Sequence, residues 1–169
     1  MTNLKTLWAF GLLMAALVSG AQAQESRIAF INSQRITSES APAKAATAKL
    51  ENEFSKRQKE LADLQGTLKS FSEKFDRDAP TMTESQRAAK QKEFAEQNRD
   101  FQRKKREFDE DLNSRRNEEL QQVYEKATKA IRQLAETEKF DLVVQEAVYF
   151  SPKIDITDKV IKILNAGVK

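Results

Sequence analysis

The chain of 169 residues contains no cysteine and no histidine. Disulfide bonds, thiol or imidazole catalysis and the usual zinc sites are therefore excluded. Serines and carboxylates remain, but the sequence has no G-x-S-x-G turn, no S-x-x-K triplet and no glycine-rich phosphate loop. We therefore expect a protein that is not an enzyme, with no catalytic residues, no cofactor and no metal site.

Glycine and proline are scarce, with four and three residues respectively. Because these residues most often interrupt regular structure, their scarcity predicts a few long elements. Charged residues make up 33% of the chain and the mean hydropathy is −0.69, which is typical of long solvated helices.

The N-terminus has the features of a secretory signal peptide over residues 1–23. Lys5 precedes an apolar run from Leu7 to Val18, and Ala21 and Ala23 form a small-x-small cleavage site. The run is about 12 residues long, whereas a membrane-spanning helix needs about 20. We therefore expect cleavage after Ala23 and an exported product.

Two long helices are predicted in the middle of the chain. Apolar residues from Leu50 to Phe75 recur at alternating steps of four and three, except where Arg57 fills one position, and this spacing indicates a coiled-coil seam. Pro80 ends the first helix, and Thr81 or Thr83 can form a capping box that starts the second. The second seam uses Phe94, Phe101, Phe108 and Leu112, and its helix continues to about Thr137.

The fold class predicted is therefore α+β and mostly helical. Residues 43–117 form an antiparallel coiled-coil hairpin, called the arm, with its tip near residues 76–84. Residues 24–42 and 118–169 form a small body that contains β-structure. We expect strands at Arg27–Asn32, Asp141–Gln145 and Ala147–Phe150, then a terminal helix capped by Asp155 or Thr157.

The body is too small to be stable by itself. Three short strands leave open edges and bury little apolar surface, so copies of the same strands from other subunits would remove both deficits. We therefore expect a homo-oligomer joined through the chain ends.

The second helix of the arm carries a concentrated positive charge. Residues 86–106 contain eight basic and three acidic residues, although the mature chain is nearly neutral. Such a segment attracts acidic partners over a long range and without a fixed geometry. The basic residues predicted to contact a partner chain are Arg87, Lys90, Lys92, Arg99, Arg103, Lys104, Lys105 and Arg106.

The tip supplies two further sets of candidates. Phe75, Met82 and Phe94 are expected to contact an apolar partner, because two helices cannot cover every side chain near a turn. Anionic lipid is a second candidate ligand of the tip. Its predicted contacts are Lys74, Arg77, Arg87 and Lys90.

Three segments together resemble the Skp/OmpH-like periplasmic chaperones. They are RIAFINSQRI near the mature start, ENEFSKRQKELADLQ in the first helix and YFSPKIDITDKVIKILN at the close, and their order carries the resemblance. The strongest single marker is DIT, residues 155–157. The resemblance implies a jellyfish-shaped homotrimer whose arms enclose unfolded outer-membrane proteins, without nucleotide, and prevent their aggregation before membrane insertion.

Two other functions fit parts of the sequence. A structural coiled-coil protein of the envelope explains the heptads, but it requires neither strands at both ends nor a basic arm. Nucleic-acid binding through Arg103 to Arg106 would suit a pI near 9.0, yet export and the balanced mature charge disfavour it. We therefore expect no nucleic-acid partner.

Overall fold

The computed structural model describes residues 26–167, and the predicted signal peptide and its cleavage site lie outside this range. The elements are β1 (Ile28–Phe30), α1 (Ser33–Glu39), α2 (Ala41–Asp78), α3 (Glu84–Glu138), β2 (Leu142–Val144) and α4 (Thr157–Ala166). Short 3-10 turns at Ala79–Thr81 and Pro152–Ile154 connect them. The mostly helical α+β fold with a long helical hairpin is confirmed.

The start of α2 follows from its first residues. The Ser40 hydroxyl accepts a hydrogen bond from the Ala43 backbone at 3.4 Å, and Pro42 occupies the first turn, where no backbone donor is needed. The shorter α1, which the sequence pattern did not predict, is capped by Asn32. The Asn32 side chain accepts from the backbone N–H of Arg35 at 3.0 Å.

The turn between α2 and α3 forms where proline and threonine predict it. Pro80 lies in the 3-10 turn, and the Thr83 hydroxyl accepts from the Gln86 backbone while the Gln86 side chain accepts from the Thr83 backbone. This is the predicted capping box. The chain therefore reverses direction here, and α2 and α3 run side by side.

Helix α3 is the longest element, with 55 residues, or about 82 Å at about 1.5 Å per residue. It continues without a break from the arm into the body and ends at Lys139, whose φ of 56° stops the helix in the left-handed region. The predicted end near Thr137 is confirmed within two residues. One continuous helix therefore fixes the direction of the arm relative to the body.

The two strands lie far apart in the sequence but pair in parallel. Ile28 is opposite Leu142 and Phe30 is opposite Val144. The Ile31 backbone extends the pairing by donating to the Val144 carbonyl at 2.9 Å.

The predicted strand at Ala147–Phe150 is wrong. The Phe150 ring instead stacks on Phe30, with centroids 3.7 Å apart, and the chain then enters the 3-10 turn at Pro152. Val148 and Tyr149 project into solvent. A strand needs a neighbouring backbone to pair with, and within residues 26–167 no strand pairs with this segment.

The body core joins three helices and β1. Its buried side chains include Ile36 of α1, Leu134 of α3, and Val160 and Leu164 of α4. Ala127 and Ala130 allow the other elements to approach α3 closely. Burial of such apolar side chains is the main stabilising contribution to a small core.

The DIT segment connects β1 to α4. The Ile156 backbone donates to the Phe30 carbonyl at 2.9 Å, and the Thr157 hydroxyl accepts from the Asn32 backbone at 2.8 Å. Asp155 in turn accepts from the Thr157 backbone at 2.8 Å. The polar groups of this buried junction are therefore paired, which explains why these residue types stand at positions 155–157.

Over residues 26–167, no helix has the length and apolar content that a transmembrane span requires.

Candidate functional site

The arm is held together by pairs of aromatic rings along its seam. Phe54 is buried and meets Phe108 edge-on, with centroids 5.6 Å apart, and Phe71 meets Phe94 at the same distance. Such pairs add to the stabilisation from burial. Phe101 is half-buried between these pairs. Much of the aromatic surface of the arm therefore serves the hairpin itself.

Arg57 occupies a seam position that the heptad pattern reserves for an apolar residue. Its guanidinium lies 5.7 Å from the centroids of both Phe54 and Phe108 and forms an ion pair of 2.7 Å with Asp111 of α3. The ring faces and the carboxylate compensate the charge. The interruption in the seam is therefore a polar contact between the helices.

The tip contains an incompletely covered apolar cleft. Two adjoining cavities of about 220 and 210 Å³ share Phe71, Phe75 and Lys90. Met82 lines the larger of them and Phe94 the smaller. The Lys90 ammonium lies 5.5 Å from the Phe71 centroid. The structure thus brings the three apolar candidates, Phe75, Met82 and Phe94, together around one cleft, and each is half-buried. Contact with a partner chain remains a prediction for them.

The basic candidates fall into two groups. Five of them form ion pairs with carboxylates one helical turn away on α3. The nitrogen–oxygen distances are 2.6 to 4.0 Å for all pairs other than Arg103 with Asp100. The paired residues are Lys90 with Glu93, Lys92 with Glu96, Arg103 with Asp100 and Glu107, Lys104 with Asp100, and Lys105 with Asp109. Most of the basic cluster at residues 103–106 is therefore locally neutralised.

Arg87, Arg99 and Arg106 form no ion pair within residues 26–167. Arg87 donates to the carbonyls of Ala79 and Met82 and so closes the tip turn. Arg99 donates to the Ala95 carbonyl at 3.3 Å, and all three side chains are exposed. The structure therefore distinguishes eight residues that the sequence treated alike, although their predicted role in binding remains untested.

The electrostatics of the cluster follow this pairing. Hydrogen bonds from Lys104 and then Arg103 lower the pKa of Asp100 below its ordinary value. Hydrogen bonds to Asp100 and Glu107 raise the pKa of Arg103. The charged forms on both sides are thus stabilised, and the cluster keeps its ion pairs at neutral pH.

The base of the arm contains an ionic cluster that the sequence reasoning missed. Glu119 of α3, only 5% exposed, forms ion pairs with Lys49 of α2 at 2.5 Å and Arg115 at 3.2 Å. Arg115 also reaches Glu53 of α2 at 3.2 Å. The hydrogen bond from Lys49 is the main cause of the lowered pKa of Glu119. The sequence did contain a signal for this cluster. Glu119 lies four residues before Val123, on the buried side of α3, where an apolar residue is expected.

The candidate lipid contacts lie around the tip. Lys74 lines the larger of the two small cavities with Lys90, and Arg77 pairs with Asp78 at 3.5 Å. Arg87 is engaged with the turn carbonyls, as described above. All four cations are exposed at the tip cleft or beside it, and their binding of lipid remains a prediction.

The body presents apolar side chains to solvent beside its two-stranded sheet. Val148 and Tyr149 are nearly fully exposed, and Ile28 and Leu142, which face each other across the strands, are 43% and 52% exposed. Large apolar side chains grouped on a surface commonly mark an interface. In the described part of the chain, acidic side chains nowhere gather in a group suited to a metal ion.

A family model described as Outer membrane protein (OmpH-like) matches residues 27–164, which include both the body and the arm. The chain belongs to this family. The family resemblance predicted from the three sequence segments is thereby confirmed.

Curated relatives of the OmpH-like chain are named Chaperone protein Skp. The relative from Photorhabdus luminescens is 35% identical over 84% of this chain and 86% of its own length. The relative from Yersinia enterocolitica is 30% identical over 87% of this chain and 91% of its own. The prediction of a chaperone of this family is confirmed, and none of these matches favours a structural coiled-coil protein.

A solved structure of an OmpH-like chain from Caulobacter crescentus CB15 has the same fold. Its TM-score is 0.68 with 20% sequence identity, over 85% of this chain and 86% of the other. At this identity the similarity concerns the fold alone.

Proposed function

We propose that the protein is a periplasmic holdase chaperone that binds unfolded outer-membrane proteins without ATP and prevents their aggregation before membrane insertion. Three copies join through their bodies, and the three arms enclose the space that holds the client. The observation that carries the proposal is the family match, which spans the body and the arm together. The protein has no catalytic role in this proposal.

Assembly through the body is supported by the exposed apolar side chains beside the sheet. Val148 and Tyr149 extend from a segment of β-forming sequence that pairs with no strand in the described part of the chain. The same segment of a second copy, or its sheet edge, would supply the missing partner and cover Ile28 and Leu142. Each copy would thereby bury the apolar surface that it leaves exposed alone.

Client binding by the arm is supported by its mixture of weak contacts. Exposed cations on α3 attract acidic segments, and the tip cleft around Phe75, Met82 and Phe94 accepts apolar side chains. Many weak contacts over a large surface hold an unfolded chain without fixing its conformation. Release then follows when insertion into the membrane competes, and no fuel is required.

The proposal is tested with the purified mature chain, residues 24–169. We expect it to suppress light scattering by a denatured β-barrel membrane protein at about one trimer per client, and to do so less in high salt, because exposed charges are screened within about 8 Å at physiological ionic strength. No suppression at any ratio would contradict the proposal and favour a structural coiled coil.

Assembly is tested in parallel by measuring the mass of the protein with and without one client. Three chains are expected, and three chains plus one client after mixing. The double variant V148D/Y149D should be monomeric and give no suppression, whereas K153D, an exposed control nearby, should remain trimeric. A well-folded monomer of the unaltered protein at micromolar concentration would contradict the proposal that three arms enclose the client.

A contact with anionic lipid at the tip is a further part of the proposal. Lys74 and Arg77 lie at or beside the tip cleft, and surface cations near an anionic membrane each contribute modestly to binding. Co-sedimentation with vesicles that contain anionic lipid should fall for K74Q/R77Q and stay unchanged for the mid-arm variant K104Q/K105Q. Equal sedimentation of all three proteins would exclude the tip as the lipid contact.

A further inference from the structure

The face of α3 that points away from α2 carries a stripe of cations. Arg99 and Arg106 are exposed and seven residues apart, so they lie on one face two turns from each other. Phe101 and Phe108 each follow one of these arginines by two residues, or about 200° around a helix of 3.6 residues per turn. Because Phe108 packs against α2, the two arginines face solvent on the other side of the arm.

The sequence around Arg99 explains why it has no carboxylate partner. Ion pairs along a helix form between residues three or four apart. Of the residues at those distances from Arg99, only Glu96 is acidic, and its carboxylate is already paired with Lys92 at 4.0 Å. Arg99 donates to the Ala95 carbonyl through Nε, which leaves its terminal nitrogens available.

Arg106 has two acidic residues at those distances, Asp109 and Glu110. Asp109 is paired with Lys105 at 2.6 Å. Glu110, four residues after Arg106, is the remaining carboxylate at pairing distance, but the two side chains form no ion pair in the described part of the chain. Arg106 is therefore the only member of the basic run at residues 103–106 that forms no ion pair within residues 26–167.

The neighbouring cations provide a natural contrast. Arg103, Lys104 and Lys105 each hold a carboxylate of their own helix. A carboxylate from another chain would have to replace one of these contacts, and the exchange of one exposed ion pair for another gains little. At Arg99 and Arg106 the same carboxylate would form a new charge-assisted hydrogen bond and break none.

We propose that Arg99 and Arg106 together bind two carboxylates of an unfolded client chain, and that client segments with acidic residues about three positions apart are held preferentially. Seven residues of helix span about 10.5 Å, and an extended chain covers that distance in about three residues. This inference rests on the proposed holdase function and names the client chemistry that the arm selects.

The inference is tested by peptide binding to the mature trimer. The probe is a fluorescent, unfolded peptide with two aspartates three positions apart, and its control has asparagines at the same positions. We expect the acidic peptide to bind about tenfold more tightly, which corresponds to two exposed charge contacts. The variant R99Q/R106Q should lose this preference and bind both peptides alike.

A charge-matched variant separates a local contact from a general attraction. R103Q/K104Q also removes two positive charges from the same helix, and the carboxylates that it releases, Asp100 and Glu107, are not three or four residues from Arg99 or Arg106. This variant should therefore keep the preference for the acidic peptide. An equal loss in both double variants would overturn the inference, because net charge alone would then explain binding. A preference that persists in R99Q/R106Q, or that is absent from the unaltered protein, would also overturn it.

Failure of this inference can be distinguished from failure of the proposed function. If the unaltered protein suppresses aggregation of a β-barrel client but binds the acidic and control peptides equally, only the inference about Arg99 and Arg106 is wrong. If it neither suppresses aggregation nor binds either peptide, both the proposed holdase function and the inference are wrong.

Discussion

The body and the arm of this protein are stabilised in different ways. The body buries side chains from segments more than a hundred residues apart, such as Ile36 and Val160, almost completely. Between residues 44 and 117, the arm has only Phe54 and Leu68 as buried apolar residues, and its other seam residues are half-buried.

This difference in burial corresponds to different roles of the two regions. A body whose core is closed can orient the arm rigidly, because α3 continues from one into the other. An arm of two helices cannot close a core, so it leaves rings, cations and a cleft accessible to another chain. The feature that makes the arm less stable is thus the one that makes it available for binding.

The largest effect is expected from a charge placed in the body core. Val160 is fully buried, so V160D would place an unpaired carboxylate in an apolar core at a cost of several kcal/mol, comparable with the whole stability of a small domain. Circular dichroism should show loss of cooperative unfolding. K162D, on the exposed side of the same helix, should unfold cooperatively; if both variants behave alike, the body is not the stable region.

A smaller and more local effect is expected in the arm. F54A removes a buried ring and its edge contact with Phe108, and such a change costs about 3 kcal/mol. Hydrogen exchange should accelerate in α2 and the first part of α3, while amides around Ile36 keep their protection. F75A removes a ring that is only half-buried at the tip, so it should lower the stability of the arm by less than F54A does. Equal acceleration in the body would show that the two regions unfold as one unit.

The ionic cluster at the junction should make stability depend on pH. The pKa of Glu119 is lower in the folded protein than its ordinary value of 4.5, so its carboxylate stabilises the fold above that pH and ceases to do so as the pH falls through the folded-state pKa. E119Q should therefore lower the urea midpoint at pH 7, by less than F54A does, and its effect should shrink as the pH falls through the folded-state pKa of Glu119. E118Q, an exposed partner of the same Arg115, is the control.

The smallest effect concerns Gly66 in the exposed middle of α2. An added Cβ would meet no atom within 4 Å, so G66A should stabilise the arm by about 0.5 to 1 kcal/mol through backbone entropy. The matched reverse change A62G, one turn earlier, should destabilise it by a similar amount. Urea unfolding monitored by helix content gives both values, and a loss of stability in G66A would show a hidden contact at this position.

Local sequence signals predicted much of the arm. Heptad spacing, Pro80 and the Thr83 capping box specify two helices and the turn between them, because these effects act within a few residues. The same reasoning missed α1, since seven residues carry too little periodicity. It placed a strand at 147–150, where the described residues supply no pairing partner. It also did not predict the ionic cluster of Glu119, whose partner Lys49 is on the other helix.

The candidate site shows the same limit. The sequence established that α3 is basic and that aromatic residues lie near the tip. Only the fold showed that Phe94 faces Phe71, that Phe75 and Met82 share a cleft, and that Arg57 lies between two rings.

By itself the sequence determined the long helices, the turn between them with its capping box and the excess of positive charge, because each depends on neighbours within a helical turn or two. The tertiary structure decided the parallel pairing of Ile28 with Leu142, the closed core around Val160 and the burial of Glu119. These depend on contacts between residues 70 or more positions apart, whose formation depends on the packing of the whole chain rather than on any local pattern.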